Sequence, residues 1–265
     1  MALAEKNPEA LVVRKDDGAV RNLVINRPSS YNALSIACME AVIAEFEALP
    51  DDRSVSVVIL SGAGKGFCAG HDLKEMRGNP EKEFYEKTFD TCTRMMLSIV
   101  DCPKPVIARV HGVASAAGCQ LVATCDLAVA DEGARFSTPG VNIGLFCSTP
   151  MVALSRNVSR KHAMEMLLTG DFVTAQRAYE MGLINRVAPS GELDAAAMEL
   201  ASRIASKSPL TLKTGKKAFY EQIDRDLRGA YEYASRVMVK NMMARDAEEG
   251  IDAFIEKREP RWCGE

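Results

Sequence analysis

The chain has 265 residues, 47% of them apolar and 26% charged, which allows one large domain, or a domain with an appendage, and excludes a disordered polymer. A formal net charge of -3 without a long basic run excludes the electrostatic footprint of a nucleic-acid binder, and no stretch reaches membrane-spanning length. No nucleic-acid or membrane partner is therefore expected.

Alternating strand and helix signals predict an α/β fold. Val12–Val13 and Asn22–Ile25 read as short strands around a turn at Asp16, Asp17 and Gly18. From Ala37 to Leu49, the residues Met39, Val42, Ile43, Phe46 and Leu49 share one helical face, and Pro50 ends the helix. Val55–Leu60 is a β-branched run stopped by the glycines of "SGAGKGF". Val106–Val110 runs into "HGVASAAGCQL", and Leu127–Ala130 follows Asp126. Strand, tight loop and helix start thus occur twice, and such loops aim backbone donors at a ligand. Beyond residue 150 the pattern is largely helical. Ser159 and Gly170 cap one helix, Thr174 and Gly182 the next, and "GLINRVAP" is a short strand. Leu193, Ala197, Leu200 and Ile204 then form a helical stripe that Pro209 breaks. The simplest division is a core over residues 1–190 and a helical appendage over residues 191–265.

Cys38, Cys68, Cys92, Cys102, Cys119, Cys125, Cys147 and Cys263 include no C-x-x-C pair and sit mostly in apolar runs, which predicts buried free thiols and a reducing compartment. His71, His111 and His162 lack metal-ligand spacing, so no metal site is expected. The opening "MALAEKNPEALVVRKDDG" has neither a leader pattern nor an Arg-rich transit pattern; the expected location is cytoplasmic, with a mature organellar form as the other reading. "GAGKG" meets neither the P-loop nor the dinucleotide-binding spacing and reads as a surface turn. No G-x-S-x-G occurs, and Cys119 and Cys147 read as packed core thiols. Met95, Met96, Met151, Met164 and Met166 predict a methionine-filled core, with a pliable ligand pocket as the alternative.

Two loops, "FCAGHDLKEM" and "HGVASAAGCQLVATCDLAVA", followed by "ARFSTPGVNIGLFCSTP", resemble the signature of the crotonase superfamily, the enoyl-CoA hydratase and isomerase family. The resemblance runs from "VINRPSSYNALS" to "AFIEKREPRW". It implies a crotonase-like spiral of ββα units, with the C-terminal helices assembling a homotrimer or a dimer of trimers. It also implies an acyl-CoA thioester as ligand, with CoA entering only as part of that substrate and no separate cofactor. By position, the resemblance implies that the backbone N–H groups of His71 and Ala117 form an oxyanion hole. Small residues such as Ala116, Ala117 and Gly118 suit it because nothing blocks approach to the backbone, and one such donor is worth about 10² to 10³ in rate. Ala69, Asp72 and Leu73 of the first loop are assigned to ligand binding, with the Asp72 carboxylate fixing the loop. Phe254 and Lys257 fall where related hydratases reach the adenine and phosphate end of CoA on a neighbouring subunit, whereas Ser29 replaces a lysine common in that pattern.

The two glutamates that work on the substrate in the family fall here on Gln120 and Gly140. An amide does not exchange a proton near neutral pH and glycine has no group to do so. Three readings stay open: an acyl-CoA enzyme whose acid or base is His71, Cys147, Ser148 or another side chain; feeble hydratase or thioesterase activity with Gln120 orienting water; or a non-catalytic acyl-CoA binder or assembly partner.

Overall fold

The computed structural model describes residues 10–265. The reading of the chain's start therefore falls partly on residues 1–9, outside the described residues. Nine strands are present among the described residues: β1 (Val12–Asp17), β2 (Val20–Ile25), β3 (Val57–Gly62), β4 (Val106–Val110), β5 (Val113–Ser115), β6 (Leu127–Asp131), β7 (Arg135–Ser137), β8 (Val173–Thr174) and β9 (Arg186–Ala188). Six form one sheet in the order β1-β2-β3-β4-β6-β9, parallel except for the β1–β2 hairpin. The others form a small second sheet in the order β5-β7-β8. The hairpin strands are longer than expected, and the second sheet is not anticipated by the sequence, because strands of two or three residues carry no readable period.

The two sheets explain the ββα repeat. After β2 the chain makes a single bridge at Leu34 and enters α1 (Ile36–Glu47); after β3 it bridges at Cys68 and enters α2 (Leu73–Gly78), then α3 (Lys82–Asp101). After β4 it forms β5 and α4 (Ala117–Thr124); after β6 it forms β7, a 3₁₀ turn at Pro139–Ile143 and α5 (Pro150–Asn157). Leu34 pairs with His71 and Cys68 with Ala114, so each short piece sits beside the next unit's loop.

Both faces of the sheet are covered, which is why its central strands read as continuous apolar runs. In β3, Val58 and Leu60 face the main core with Met39, Ile43 and Phe46 of α1 and Met95 and Ile99 of α3. Val57 and Ile59 face a second cluster with Leu193, Ala197 and Ala201 of α8 (Leu193–Ala205). Between α5 and α8 in the chain come α6 (Arg160–Thr169) and α7 (Ala175–Met181), capped as the sequence predicts by the Ser159 and Thr174 hydroxyls and closed by Gly170 and Gly182.

The last three helices are α9 (Pro209–Ile223), α10 (Leu227–Met242) and α11 (Arg245–Glu256). Pro209 does end the preceding stripe, and it also opens α9, where its missing N–H costs nothing. One half-buried polar knot ties α9 to the sheet. Lys216 Nζ donates to the Ile99 and Lys104 carbonyls at 2.9 and 3.1 Å and lies 2.7 Å from Asp126 Oδ2, while Tyr220 donates to Asp126 Oδ1 at 2.9 Å. Asp126 Oδ2 also receives the Val106 N–H at 2.7 Å, so one carboxylate joins α9 to the start of β4. Lys216→Met takes the cation from that carboxylate, which keeps its Val106 and Tyr220 donors, and takes the Lys216 donor from the Ile99 and Lys104 carbonyls. It is expected to cost about 2–3 kcal/mol in urea denaturation, against about 1 kcal/mol for Tyr220→Phe.

Candidate active site

The loop after β3 and the turn before α4 cross at close range. Ser115 N–H donates to the Cys68 carbonyl at 2.9 Å and Cys68 N–H to the Val113 carbonyl at 3.1 Å. A Cβ on Gly118 would stand 2.1 Å from the Cys68 oxygen, so only glycine admits this crossing. Gly70, at φ +99, would carry a Cβ 3.0 Å from that of Ala116. Ala116 itself has φ 50 and ψ -117, a conformation costly for a residue with a Cβ. That strained turn is held by Ala116 N–H donating to the Ser137 carbonyl at 2.9 Å.

The crossing brings together two backbone donors that make no hydrogen bond among the described residues: the N–H of His71 and the N–H of Ala117. Ala117 opens α4, where the first N–H groups have no intrahelical acceptor. His71 is held on both sides, by Leu34 N–H to the Gly70 carbonyl at 2.8 Å and Asp72 N–H to the Leu34 carbonyl at 3.1 Å. The Asp72 carboxylate caps α2 through the Lys74 and Glu75 N–H groups and pairs with Arg27 Nη2 at 2.9 Å. Burial pushes this carboxyl up, but Arg27 and the two N–H donors outweigh it and hold it below its usual value.

Both residues line a cavity of about 470 Å³. The side chains around it are Leu73, Met76, Phe89, Ile143, Leu145 and Phe146, with Ala69, Gly140, Cys147, Ser148 and prolines completing the wall. No Asp, Glu, Lys or Arg is among the lining residues. A larger hollow of about 830 Å³ beside α11 is lined mainly by charged side chains, including the pair Arg258–Glu249 at 2.7 Å.

Two titratable groups face the apolar cavity. His71 has its ring edge on Phe89 at 5.4 Å, its buried Nε2 has no partner among the described residues, and burial pushes its pKa down to about 4. The imidazole is therefore neutral at pH 7. Cys147 Sγ accepts from the Gly140 N–H at 3.3 Å, and burial pushes its thiol up, with that N–H pulling it partly back. The sulfur also stands 3.0 Å from where a Cβ on Gly140 would be, so the thiol occupies the space beside this glycine.

The expected ligand-binding set is split. Ala69, His71, Leu73, Ala117, Gly140, Cys147 and Ser148 line the cavity. Asp72 does not, because its carboxylate is used to hold the loop. Gln120 does not either: it is buried one turn into α4, and its Oε1 has no partner among the described residues. Phe254 and Lys257 lie on α11 and its cap, away from the lining, and Phe254 is 84% exposed. Cys119 is fully buried, and seven of the eight cysteines are buried, all of them free. Met95, Met96 and Met166 belong to the core and Met151 and Met164 are exposed; the methionine that lines the cavity is Met76, which the sequence reading missed. Phe89 was missed too. Its signal is an aromatic residue off the buried stripe Thr88, Cys92, Met95 and Ile99 of α3. Among the described residues no cluster of His, Cys, Asp or Glu is placed to hold a metal ion, and no helix is long and apolar enough to cross a membrane.

A doubly covered parallel-rich sheet with ββα repeats, and a cavity bounded by the two signature loops, place the chain in a known class. It belongs to the enoyl-CoA hydratase/isomerase family, whose model matches residues 15–265. Among curated proteins it is similar to the mouse and human mitochondrial enoyl-CoA hydratase domain-containing protein 3, 45% identical over 98% of this chain and 86% of each relative. It is 35% identical, over 91% of this chain and 94% of the relative, to 2,3-dehydroadipyl-CoA hydratase of Escherichia coli. A crystal structure of an enoyl-CoA hydratase from Mycobacterium smegmatis matches 96% of this chain and 99% of its own, with TM-score 0.94 and 52% identity. The crystal structure of human enoyl-CoA hydratase domain-containing protein 3 matches 95% and 100%, with TM-score 0.93 and 44% identity. The expectation of a cytoplasmic location is corrected by these comparisons, because the relatives at 45% identity are named mitochondrial.

His71 makes stability depend on pH. Its ordinary value of 6.5 falls to about 4 in the folded chain, so between those values the unfolded chain holds a proton that the folded one lacks. Stability is complete above about 6.5 and falls as the pH drops toward 4, by roughly 3 kcal/mol for this group. Urea titrations across this range are expected to show that extra loss in the parent chain and not in His71→Gln.

Proposed function

We propose that the protein binds acyl-CoA thioesters and polarises their carbonyl between the N–H groups of His71 and Ala117, with ordinary enoyl-CoA hydration weak or absent. What supports this reading is that His71 and Ala117, whose N–H groups have no acceptor among the described residues, both line one mainly apolar cavity that no carboxylate lines. Negative charge that develops on a thioester oxygen is stabilised by such fixed dipoles, and it is stabilised more strongly where water is excluded. Hydration needs more than this: a water must lose a proton and the α-carbon must gain one. Gln120 and Gly140 supply neither step. His71 near pH 7 is an uncharged and weak base, and the Cys147 thiol is held protonated. An enzyme of this family with another acid or base would have to use His71, Cys147, Ser148 or a group brought by the substrate. The absence of any charged side chain from the lining favours one alternative, a non-catalytic acyl-CoA binder or assembly partner.

In this reading Ala69 and Leu73 flank the thioester, Asp72 acts indirectly by fixing their loop, and Phe254 and Lys257 reach CoA bound to a neighbouring copy. The region 191–265 then assembles a homotrimer or a dimer of trimers. It is supported by α9 and α10, which bury no residue fully and expose Phe219, Ile223, Leu227, Tyr231, Met238 and Val239.

Purified protein is expected to bind butyryl-CoA in calorimetry while turning over crotonyl-CoA well below about 1 per second, the lower end of ordinary enzyme rates. Turnover in the ordinary range would overturn the reading of Gln120 and Gly140. Installing Gln120→Glu with Gly140→Glu is expected to raise hydration, with Cys147→Ala added to remove the one side-chain atom that crowds position 140. Any residual turnover that survives both His71→Phe and Cys147→Ala would remove these two side chains as its acid or base. Light scattering is expected to give a mass of three or six chains, and Met238→Glu with Val239→Glu to lower it; a monomer in the parent chain would remove the assembly.

A further inference from the structure

Beyond the two donors the wall of the cavity is mainly apolar; its polar side chains, Ser115, Asn142, Ser148 and Thr149, are uncharged. Met76 of α2 and Phe89 of α3 line it, as do Ile143 at the end of the Pro139–Ile143 turn and Leu145 and Phe146 between that turn and α5. Large apolar side chains are normally exposed singly, whereas here Ile143 is 59%, Leu145 54% and Phe146 42% exposed within four residues. Their exposure is continuous with the cavity, because all three also line it. The electrostatics agree with the shape: no Lys or Arg lines the space, and His71 is neutral, so a second carboxylate on an acyl chain would meet no cation. The Escherichia coli relative is named for a substrate, 2,3-dehydroadipyl-CoA, that carries such a carboxylate.

Resting on the thioester site proposed above, we infer that this cavity selects uncharged acyl chains of medium to long length, whose distal carbons lie along Met76, Phe89, Ile143, Leu145 and Phe146. A chain too short to reach the rim leaves those side chains in water. Each further methylene that reaches it adds about three- to fourfold in affinity, until the rim is passed.

The test is calorimetric binding of free CoA, butyryl-CoA, hexanoyl-CoA, octanoyl-CoA and adipyl-CoA to the intact protein. Octanoyl-CoA is expected to bind at least tenfold more tightly than butyryl-CoA. Adipyl-CoA, with the same carbon count as hexanoyl-CoA, is expected to bind at least tenfold more weakly than it. Leu145→Asp, an exposed position where folding is not at stake, is expected to remove most of the octanoyl advantage, and Phe146→Asp gives an independent check. Equal affinities along the series, or adipyl-CoA binding as well as hexanoyl-CoA, would overturn the selectivity while leaving the thioester site in place. If no thioester bound more tightly than free CoA, the site itself would fall, and the selectivity with it.

Discussion

The close crossing of the Cys68–His71 loop over the Ala116–Gly118 turn is the constraint on which the site depends. A Cβ at Gly118 would stand 2.1 Å from the Cys68 carbonyl, and one at Gly70 would stand 3.0 Å from the Ala116 Cβ. Two hydrogen bonds, through Ser115 N–H and Cys68 N–H, pull the same segments together. The strain at Ala116 persists because the surroundings over-determine it, with Ser137 fixing the turn and α4 starting immediately afterwards. The result is that two residues from distant parts of the sequence, each with an N–H that makes no hydrogen bond among the described residues, line one cavity. Nothing about their placement requires a particular side chain at either residue.

That independence separates two kinds of chemistry on one scaffold. Backbone donors survive any side-chain change that leaves the crossing intact, so polarisation of a carbonyl is carried by the fold itself. Proton transfer is carried by side chains, and it goes when they are replaced. In the proposed reading this is the state of the present chain: the donors are present, while amide and glycine stand where an acid or base would be needed. The neighbouring groups do not restore the balance, since burial makes the His71 imidazole a poor base and raises the Cys147 thiol.

Most of the sheet and its helices could be read from the sequence. Apolar runs that are buried on both faces, such as Val57–Leu60 and Val106–Val110, announce central strands, and Ser159, Gly170, Thr174 and Gly182 mark helix ends by known capping chemistry. The small β5-β7-β8 sheet was not legible, because Val113–Ser115 and Arg135–Ser137 are shorter than any period that could reveal them. The same limit applied at the site. The loops that hold His71 and Ala117 carry a dense pattern of small residues, whereas Met76 and Phe89 reach the cavity only through the way α2 and α3 pack. Asp72 was legible as a loop-fixing carboxylate, but its exclusion from the lining needed coordinates that show Arg27 and two N–H groups already engaged with it.

Gly140 shows how local space and chemistry are coupled. Its own N–H is used by Cys147 Sγ, and the sulfur, the Leu145 carbonyl and the Cys147 N–H crowd the volume that a side chain would enter, at 3.0, 3.0 and 3.2 Å. The loop from Leu145 to Cys147 is therefore drawn in over the glycine. Drawing it in sets the thiol at the cavity wall while Leu145 and Phe146, next to it in sequence, line the rim. A larger residue at 140 would push this loop outward and move Leu145 and Phe146 with it. Residue 140 thus connects the proton chemistry the site lacks to the shape of the apolar rim it presents, and a change there is felt in both.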